Sequence, residues 1–223
     1  GTTCTEEEIV IPNDVTSICG FAFWENHMTS VVIPDSVTSI GSYAFSDCRN
    51  LKNITIPDSV TFFGESVFTN TAWVTYRYDE NPLVIINHVL VDVDRDQCSG
   101  KVTIPDGVTS IAGGAFAYCN QMTEISIPDS VNSIGSSAFF NCAALKEIAI
   151  PEGVTSIDAV TFYGCDSLTS ISIPKSVTFI GKVVFCNCMN LSDVYYAGTP
   201  EQWNAIAITG GNSTDNYDNY FLV

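Results

Sequence analysis

Nine cysteines give the 223-residue sequence its most obvious capacity for chemistry, because thiolates bind metals and thiols form disulfides. Five of them share one spacing, 15 residues after an isoleucine that precedes proline: Cys48, Cys119, Cys142, Cys165 and Cys188. This fixed offset predicts a ladder of buried free thiols that pack as small apolar groups. Neighbouring rungs of parallel strands would lie roughly 4.8 Å apart, a spacing that admits a disulfide without requiring one.

The remaining cysteines do not follow this spacing. Cys186 and Cys188 form a Cys-x-Cys pair, but no second pair follows at zinc-finger spacing, so a zinc site is not predicted. Cys4, Cys19 and Cys98 stand outside the ladder. A bridge between Cys4 and Cys19 at the N-terminal end stays open as an alternative to free thiols.

Nucleophilic catalysis would need a serine or cysteine beside a base. The sequence has two histidines, His27 and His88, which are far apart in the chain. Both are predicted to be exposed, His27 near the start of a strand and His88 in a turn. The sequence therefore predicts no enzyme activity.

The run Asp92-x-Asp94-x-Asp96 resembles the start of a calcium loop, in which alternate carboxylates converge on one cation. The glycine that such a loop requires is replaced by Gln97, and its twelfth position is Thr103 rather than glutamate. A solvated acidic loop is therefore the favoured interpretation. We predict no metal site and no cofactor.

Charge and hydropathy exclude two classes of partner. Eight Lys and Arg residues against 25 Asp and Glu residues give a net charge of −17. Nucleic-acid binding needs clustered basic residues, and an anionic membrane surface would repel this chain. No stretch reaches the roughly 18 to 20 apolar residues of a spanning helix. We predict neither nucleic-acid binding nor membrane insertion.

The elements that position these residues follow from an internal repeat. The dipeptide Ile-Pro recurs at Ile11, Ile33, Ile56, Ile104, Ile127, Ile150 and Ile173. The successive gaps are 22, 23, 48, 23, 23 and 23 residues. The long gap holds one regular unit and an eighth unit that lacks the dipeptide and is two residues longer. A constant period of this length is typical of a solenoid.

Each unit predicts one short strand followed by an arc. The pattern Leu-x-x-Ile-x-Ile-Pro, as at 145–151, alternates side chains inward and outward like a half-buried strand. Proline ends the strand because it cannot donate to a sheet ladder, and the following Asp-Ser or Asp-Gly is typical of a turn. The motif Val-x-x-Ile-Gly-x-x-Ala-Phe, as at 131–139, then supplies apolar anchors across the opposite face.

Stacked units would place isoleucine on isoleucine and phenylalanine on phenylalanine in continuous ladders. We predict a repeat solenoid, a right-handed, β-rich coil of the leucine-rich-repeat type with little α-helix. Its parallel sheet would line the concave face, with short turns or 3-10 segments on the convex face. One domain would span 1–223, comprising N-terminal repeats 1–69, an irregular repeat 70–100, C-terminal repeats 101–190 and a cap 191–223.

Two segments depart from the repeat. Two β-rich runs around Asn87-His88 predict a β-hairpin within the irregular repeat. Near the C-terminus, Thr199, Pro200 and Gln202 form a capping-box pattern after a last strand and predict a short helix. Trp203 and Ile206 on one face of this helix are expected to cover the open end of the core. The segment 220–223 is predicted as one more edge strand.

The outward side chains of the strands form the candidate binding surface, because repeat solenoids commonly bind proteins on their concave face. The candidate residues are Asn53, Thr55, Thr103, Glu124, Ser126, Glu147, Ser170, Ser172 and Asp193. Small polar residues also simply suit an exposed parallel sheet, and this alternative stays open. No cluster of aromatic hot-spot residues is evident in these columns.

The unit Ile-Pro-Asp-Ser-Val-Thr-Ser-Ile-Gly-x-x-Ala-Phe-x-x-Cys at 33–48 resembles the BspA-type leucine-rich repeats of bacterial surface proteins and some parasitic protists. The segment Tyr-Tyr-Ala-Gly-Thr-x-x-Gln-Trp at 195–203 is similar to one near the ends of such proteins. The resemblance covers nearly the whole chain.

The resemblance implies a non-enzymatic adhesion or protein-binding module of a secreted or cell-surface bacterial protein. Its partner would be a protein, such as a host matrix or cell-surface protein, or a glycan. The alternative is a structural spacer within a larger surface protein. We interpret the leading Gly1 as the remnant of a cleaved tag and expect a native signal segment to have been removed. The pattern makes no prediction of oligomeric state.

Overall fold

Short strands recur along the chain because each unit reaches an Ile-Pro dipeptide after only a few alternating residues. The computed structural model describes residues 7–209. The N-terminal units contain β1 (Glu8–Val10), β2 (Ser17–Ile18), β3 (Ser30–Val32), β4 (Ser39–Ile40), β5 (Asn53–Thr55) and β6 (Phe62–Phe63). The irregular unit contains α1 (Ala72–Glu80), β7 (Leu83–Ile86) and β8 (Val89–Val93).

The C-terminal units repeat the same alternation of a longer strand and a two-residue strand. They contain β9 (Ser99–Thr103), β10 (Ser110–Ile111), β11 (Gln121–Ser126), β12 (Ser133–Ile134), β13 (Glu147–Ala149), β14 (Ser156–Ile157), β15 (Ser170–Ile173), β16 (Phe179–Ile180) and β17 (Asp193–Tyr196). The chain then forms α2 (Pro200–Asn204) and β18 (Ala207–Ile208).

The longer strands pair in parallel and build two separate sheets, one of three strands in the order β1-β3-β5 and one of five in the order β17-β15-β13-β11-β9. Equivalent residues of neighbouring units face each other, as Ile148 faces Ile171 and Val31 faces Ile54. Parallel in-register pairing and little helix confirm the predicted solenoid. We call the surface formed by the outward side chains of these two sheets the strand face.

The two-residue strands form a second set of parallel ladders, which the sequence analysis did not predict. They build the sheets β2-β4-β6 and β14-β16-β18, and β10 and β12 extend the sheet of the β7–β8 hairpin in the order β12-β10-β8-β7. Each ladder pairs the residues just before the glycine position of the arc, as Ser39-Ile40 pairs with Ser17-Ile18. Two residues are too few to show a strand period, so only the stacking of units reveals them.

Phenylalanine side chains of successive arcs stack inside the core. One stack contains Phe23, Phe45 and Phe68, and a second contains Phe116, Phe139, Phe162 and Phe185. Ring centroids are 5.2–5.8 Å apart and the rings are within 7° of parallel. Each fully buried ring contributes roughly 1.5 to 3 kcal/mol, so these stacks are a main source of stability.

The ladder cysteines confirm the thiol prediction and show why a hydrogen-bonding residue occupies this position. All five are buried free thiols. The Sγ of Cys142 donates to the Phe116 carbonyl oxygen at 3.1 Å, and the Sγ of Cys165 donates to the Phe139 carbonyl oxygen at 3.2 Å. Four of the five ladder thiols therefore donate to a carbonyl oxygen of the preceding unit. Burial raises the pKa of Cys142.

The sequence analysis set Cys98 outside the ladder of thiols, and this was wrong because Cys98 extends that ladder. It is buried, and its Sγ lies 3.9 Å from the Met122 Sδ. A hydrogen bond with Cys119 lowers the pKa of Cys98. Cys19 is an exposed free thiol, and Cys4 lies outside the described residues, so the alternative of a bridge between them is not tested.

The helix α1 is absent from the sequence prediction and arises where threonine replaces the ladder cysteine. The Thr71 Oγ1 donates to the Phe68 carbonyl oxygen of its own unit at 2.9 Å, whereas a ladder thiol donates to the preceding unit. The same oxygen accepts the Val74 N–H at 3.1 Å and thereby caps the helix. One hydroxyl therefore ends the arc and begins α1.

The predicted hairpin is confirmed. Strands β7 and β8 are antiparallel and joined by Asn87 and His88, whose φ angles of 48° and 66° match the two-residue turn preferred in hairpins. Asp92 lies buried in β8, and its Oδ1 accepts from the Arg95 Nη1 at 3.2 Å. The Arg95 Nε also donates to the Ala117 carbonyl oxygen at 2.8 Å, which attaches the hairpin to the next repeat.

The insertion of α1 and the hairpin divides the core. Apolar side chains form two clusters, one around Phe45 and Phe68 and one from Leu90 to Ile206. The arcs on either side of the insertion nevertheless touch, since the Ser66 N–H donates to the Gly113 carbonyl oxygen at 3.2 Å. The extra elements therefore separate the strands β5 and β9 while the arcs remain in contact.

The predicted C-terminal cap is present. Thr199 and Gln202 form the capping box of α2, and Trp203 and Ile206 pack against the core. The Trp203 ring also contacts the Tyr196 ring at 5.2 Å between centroids. The edge strand expected at 220–223 lies outside the described residues. Within residues 7–209 no helix has the length and apolar character needed to cross a membrane.

Two backbone positions in each regular arc are left-handed, four residues apart. The first set is Phe21, Tyr43, Ser66, Gly114, Ser137, Val160 and Val183, and the second is Glu25, Asp47, Asn70, Tyr118, Asn141, Gly164 and Asn187, with φ between 49° and 72°. Most of these N–H groups bond to the next unit, as the Val160 N–H donates to the Lys182 carbonyl oxygen at 3.0 Å. Stacking therefore holds a conformation that costs an L-residue roughly 1–2 kcal/mol.

This strain predicts the effect of removing a β-branched side chain. We expect Val160→Gly to raise the free energy of unfolding by about 1 kcal/mol, because glycine adopts this φ freely and keeps the N–H. As a matched control, Val32→Gly in β3, where φ is not left-handed, should lower it by about 1 kcal/mol. Urea unfolding followed by tryptophan fluorescence measures both, and a loss of stability in Val160→Gly would contradict the assignment.

The thiol ladder predicts which cysteines react in the folded chain. With iodoacetamide at pH 8, Cys19 and Cys186 should be alkylated first, because they are exposed or half-buried. The ladder cysteines and Cys98 should react only after unfolding in urea, since burial excludes the reagent. Peptide mass spectrometry over time identifies each site. Early alkylation of Cys142 in the native protein would show that the ladder is open.

Candidate functional site

The strand face of the five-stranded sheet carries two parallel columns of outward side chains. Register places Glu124 beside Lys101 and Glu147, and Ser170 beside Glu147 and Asp193. The second column contains Thr103, Ser126, Ala149, Ser172 and Tyr195. Parallel strands hold these positions because every unit ends its strand at the same residue, so equivalent side chains stand one rung apart.

Seven of the nine candidate residues from the sequence lie on this sheet. Glu124, Ser126, Glu147, Ser170 and Ser172 line one shallow cavity of about 460 Å³. Thr103 is the register partner of Ser126, and Asp193 is the register partner of Ser170. These seven residues therefore form one continuous surface.

Asn53 and Thr55 do not belong to this surface. They lie on β5, at the edge of the three-stranded sheet, and are separated from β9 by the helix and the hairpin. The nine candidate residues therefore divide between two sheets, because the irregular unit inserts between them.

The first column is acidic. Glu124 and Glu147 are directly opposite each other on neighbouring strands, and like charges in this arrangement are destabilising. Lys101 Nζ lies 3.5 Å from Glu124 Oε2, but both side chains are at least half exposed, so the pair contributes little. Asp193 adds a further carboxylate at the other end.

Tyr195 is a surface residue that the sequence analysis missed. Its side chain is 60% exposed, and it lies next to Ser172 in the second column and lines the same cavity. The signal was present, because Tyr195 stands one 23-residue period after Ser172. An amphipathic aromatic beside carboxylates is a common component of protein-binding surfaces.

The residues with catalytic or metal-binding potential lie apart from this surface. His27 and His88 are exposed. His88 lies in the hairpin turn, and its Nδ1 is 3.0 Å from the Gly107 carbonyl oxygen. Asp92 is buried against Arg95, whereas Asp94 accepts hydrogen bonds from the Asp96 N–H and from Gln97. Within residues 7–209, no three His, Cys, Asp or Glu side chains are grouped to hold a metal.

The stacked units, their in-register strands and the phenylalanine arcs define a leucine-rich-repeat solenoid. The family model of the BspA-type leucine-rich repeat region matches residues 2–89 and 96–210 in six copies. The chain therefore belongs to the BspA-type leucine-rich-repeat family.

Two solved structures share the fold. One is the crystal structure of a leucine-rich cell surface protein from Faecalibacterium prausnitzii. Its sequence is 31% identical to this one, the match covers 90% of this chain and 62% of the Faecalibacterium chain, and the TM-score is 0.50. The other is the pneumococcal vaccine antigen PcpA, whose sequence is 17% identical. That match covers 85% of this chain and 62% of the PcpA chain, with a TM-score of 0.52. The chain thus spans less than two thirds of either protein. A comparison with curated proteins gives no match.

The acidic column makes a prediction about stability. We expect Glu147→Gln to raise the free energy of unfolding by about 0.5 kcal/mol, because it removes repulsion from Glu124 across the strands. The gain should disappear in 1 M NaCl, where screening shortens the range of the repulsion to about 3 Å. Urea unfolding at both salt concentrations measures the effect.

Glu152→Gln provides the matched control for this measurement. Glu152 is an exposed carboxylate in the turn after β13, and its neutralisation makes the net charge less negative by the same amount. An equal stabilisation in both variants would mean that overall charge, not the column, causes the effect.

Proposed function

We propose that the chain is a non-enzymatic protein-binding module of a bacterial cell-surface protein and that the two columns of the strand face contact the partner. The observation that carries the proposal is the exposed, in-register pair of Glu124 and Glu147. A repulsive pair on an open sheet lowers stability, and binding to a basic surface would offset that cost.

The rest of the surface supports the same conclusion. Small side chains such as Ser126 and Ser172 leave the sheet open to a partner, and Tyr195 supplies an exposed aromatic at one end. Family membership and the 31% identical cell surface protein support a location outside the cell. A basic patch on a host matrix or cell-surface protein has the matching chemistry.

The binding experiment neutralises the column without altering the core. The triple variant Glu124→Gln, Glu147→Gln and Asp193→Asn should bind immobilised host matrix proteins at least tenfold more weakly than the wild type in surface plasmon resonance. The wild-type affinity should also fall with added salt, because opposite charges across the interface are screened.

The matched control removes three exposed carboxylates from the turns after the strands, with the changes Asp35→Asn, Asp58→Asn and Asp129→Asn. This variant has the same net charge as the first and should bind like the wild type. If no matrix protein binds the wild type, and an inert solenoid of equal length replaces the chain without loss, the chain is a spacer.

A further inference from the structure

An open groove interrupts the strand face between its two sheets. A cavity of about 570 Å³ lies there, and its lining includes Ile54 and Ile56 from the β5 side, Ile85 from β7, and Trp73 and Arg77 from α1. Strand β5 is the last strand of its sheet, and β7 is the last strand of the hairpin sheet. Two strand edges therefore border one cavity.

The edge of β5 presents backbone groups without a strand partner. The Asn53 N–H donates to the Thr29 carbonyl oxygen at 3.2 Å, and the Thr55 carbonyl oxygen accepts the Ile33 N–H at 3.3 Å. Asn53 and Thr55 thus direct their backbone groups toward β3. Because backbone direction alternates along a strand, Ile54 directs its N–H and C=O away from β3, toward the groove.

The edge of β7 also presents backbone groups that have no strand partner. A two-residue turn leaves Ile86 and Val89 as a hydrogen-bonded pair, so the backbone groups of Ile85 point away from β8. Among residues 7–209, no other strand pairs with β7. The Leu83 N–H on this edge is bonded to the Asn81 Oδ1 at 2.9 Å, which marks the end of the open stretch.

Three fixed contacts prevent the groove from closing by direct pairing of its edges. The Asn87 Nδ2 donates to the carbonyl oxygens of Pro57 at 2.8 Å and Val60 at 2.9 Å, which attaches the hairpin tip to the turn after β5. At the helix side, the Trp73 N–H donates to the Leu51 carbonyl oxygen at 2.7 Å. The groove is therefore preorganised for a ligand.

Charge distinguishes the groove from the rest of the molecule. Arg77 lies over the Trp73 ring at 5.2 Å and is half exposed, and its pairing with Glu80 at 3.5 Å is weak because both side chains are open to water. Lys52 lies in the adjoining depression beside Arg77. Two of the eight basic residues of a chain with net charge −17 are thus at one site.

We propose that this groove is a strand-addition site, which takes an extended segment of a partner polypeptide with a carboxylate side chain beside Arg77. An extended main chain is the ligand whose donors and acceptors repeat with the period of the unpaired strand edges. Strand β7 has four residues, so about four residues of the segment would be bound. The site does not depend on the acidic column of the five-stranded sheet.

Hydrogen exchange tests whether the edge is open. In the free chain the amide of Ile54 should exchange at least a hundredfold faster than the amide of Thr55, which faces β3. Adding a saturating octapeptide of alternating threonine and valine, with one valine replaced by aspartate, should slow Ile54 and leave Thr55 unchanged. An Ile54 amide as slow as Thr55 in the free chain would overturn the proposal.

Fluorescence anisotropy with the same octapeptide, labelled with fluorescein, tests how the ligand is held. N-methylation of either alternating set of peptide amides should weaken binding at least tenfold, because one set faces the edge of β5 and the other faces the edge of β7. N-methylation of a terminal amide outside the four bound residues should change binding less than twofold. Tight binding after methylation of either set, or no binding of the unmodified peptide, would overturn the proposal.

Charge reversal tests the role assigned to Arg77. The variant Arg77→Glu should bind the aspartate peptide at least fivefold more weakly and bind a lysine version of the peptide more tightly than the wild type does. Arg49→Glu, an equal change at an exposed arginine outside the groove, should leave both affinities unchanged. Equal losses in the two variants would overturn the assignment.

A second copy of the chain is the competing occupant, and sedimentation velocity separates it from a peptide partner. A wild-type dimer that Arg77→Glu converts to monomer would overturn the proposal in favour of self-association. A wild-type monomer that binds the peptide supports it. The strand-face experiment with host matrix proteins uses other residues, so either proposal can fail alone.

Discussion

The closest contacts between units are backbone to backbone, and the spacing of the whole solenoid depends on them. A Cβ on Gly41 would lie 2.4 Å from the backbone nitrogen of Gly20, and a Cβ on Gly135 would lie 2.6 Å from that of Gly113. A side chain would clash at these two positions, although Cys19, Ala112 and Asp158 stand at the equivalent position of other units, and the arcs approach to one strand spacing. This approach lets the phenylalanine rings stack, the thiols reach the carbonyls of the preceding unit, and the left-handed residues bond to the next arc.

The sequence predicts those features that recur in every unit. The Ile-Pro dipeptide marks the end of each strand, and the constant offset of Cys142 and its equivalents predicts their burial. The same reasoning predicts the capping box at Thr199 and the hairpin around Asn87, because both rest on local backbone preferences. Tyr195 was also within reach, since it stands one period after Ser172.

Features that depend on one irregular unit were not predictable in the same way. The helix α1 follows from Thr71, whose hydroxyl both replaces a thiol and caps a helix, and a substitution at one position gives little periodic signal. The division of the strand face depends on where the helix and hairpin sit, so Asn53 and Thr55 were grouped with residues that lie on a different sheet. The two-residue ladders exist only through pairing with neighbouring units.

The division of the core at the insertion also has a mechanical consequence. Each block carries its own phenylalanine stack, and the blocks are joined by the Ser66–Gly113 bond, by Arg95 and by the hairpin. Repeat solenoids are held by nearest-neighbour interfaces, so the weakest interface is the first to yield under a tensile load along such a chain. Under tension, the junction at the insertion would yield before either stack and lengthen the molecule in a defined step.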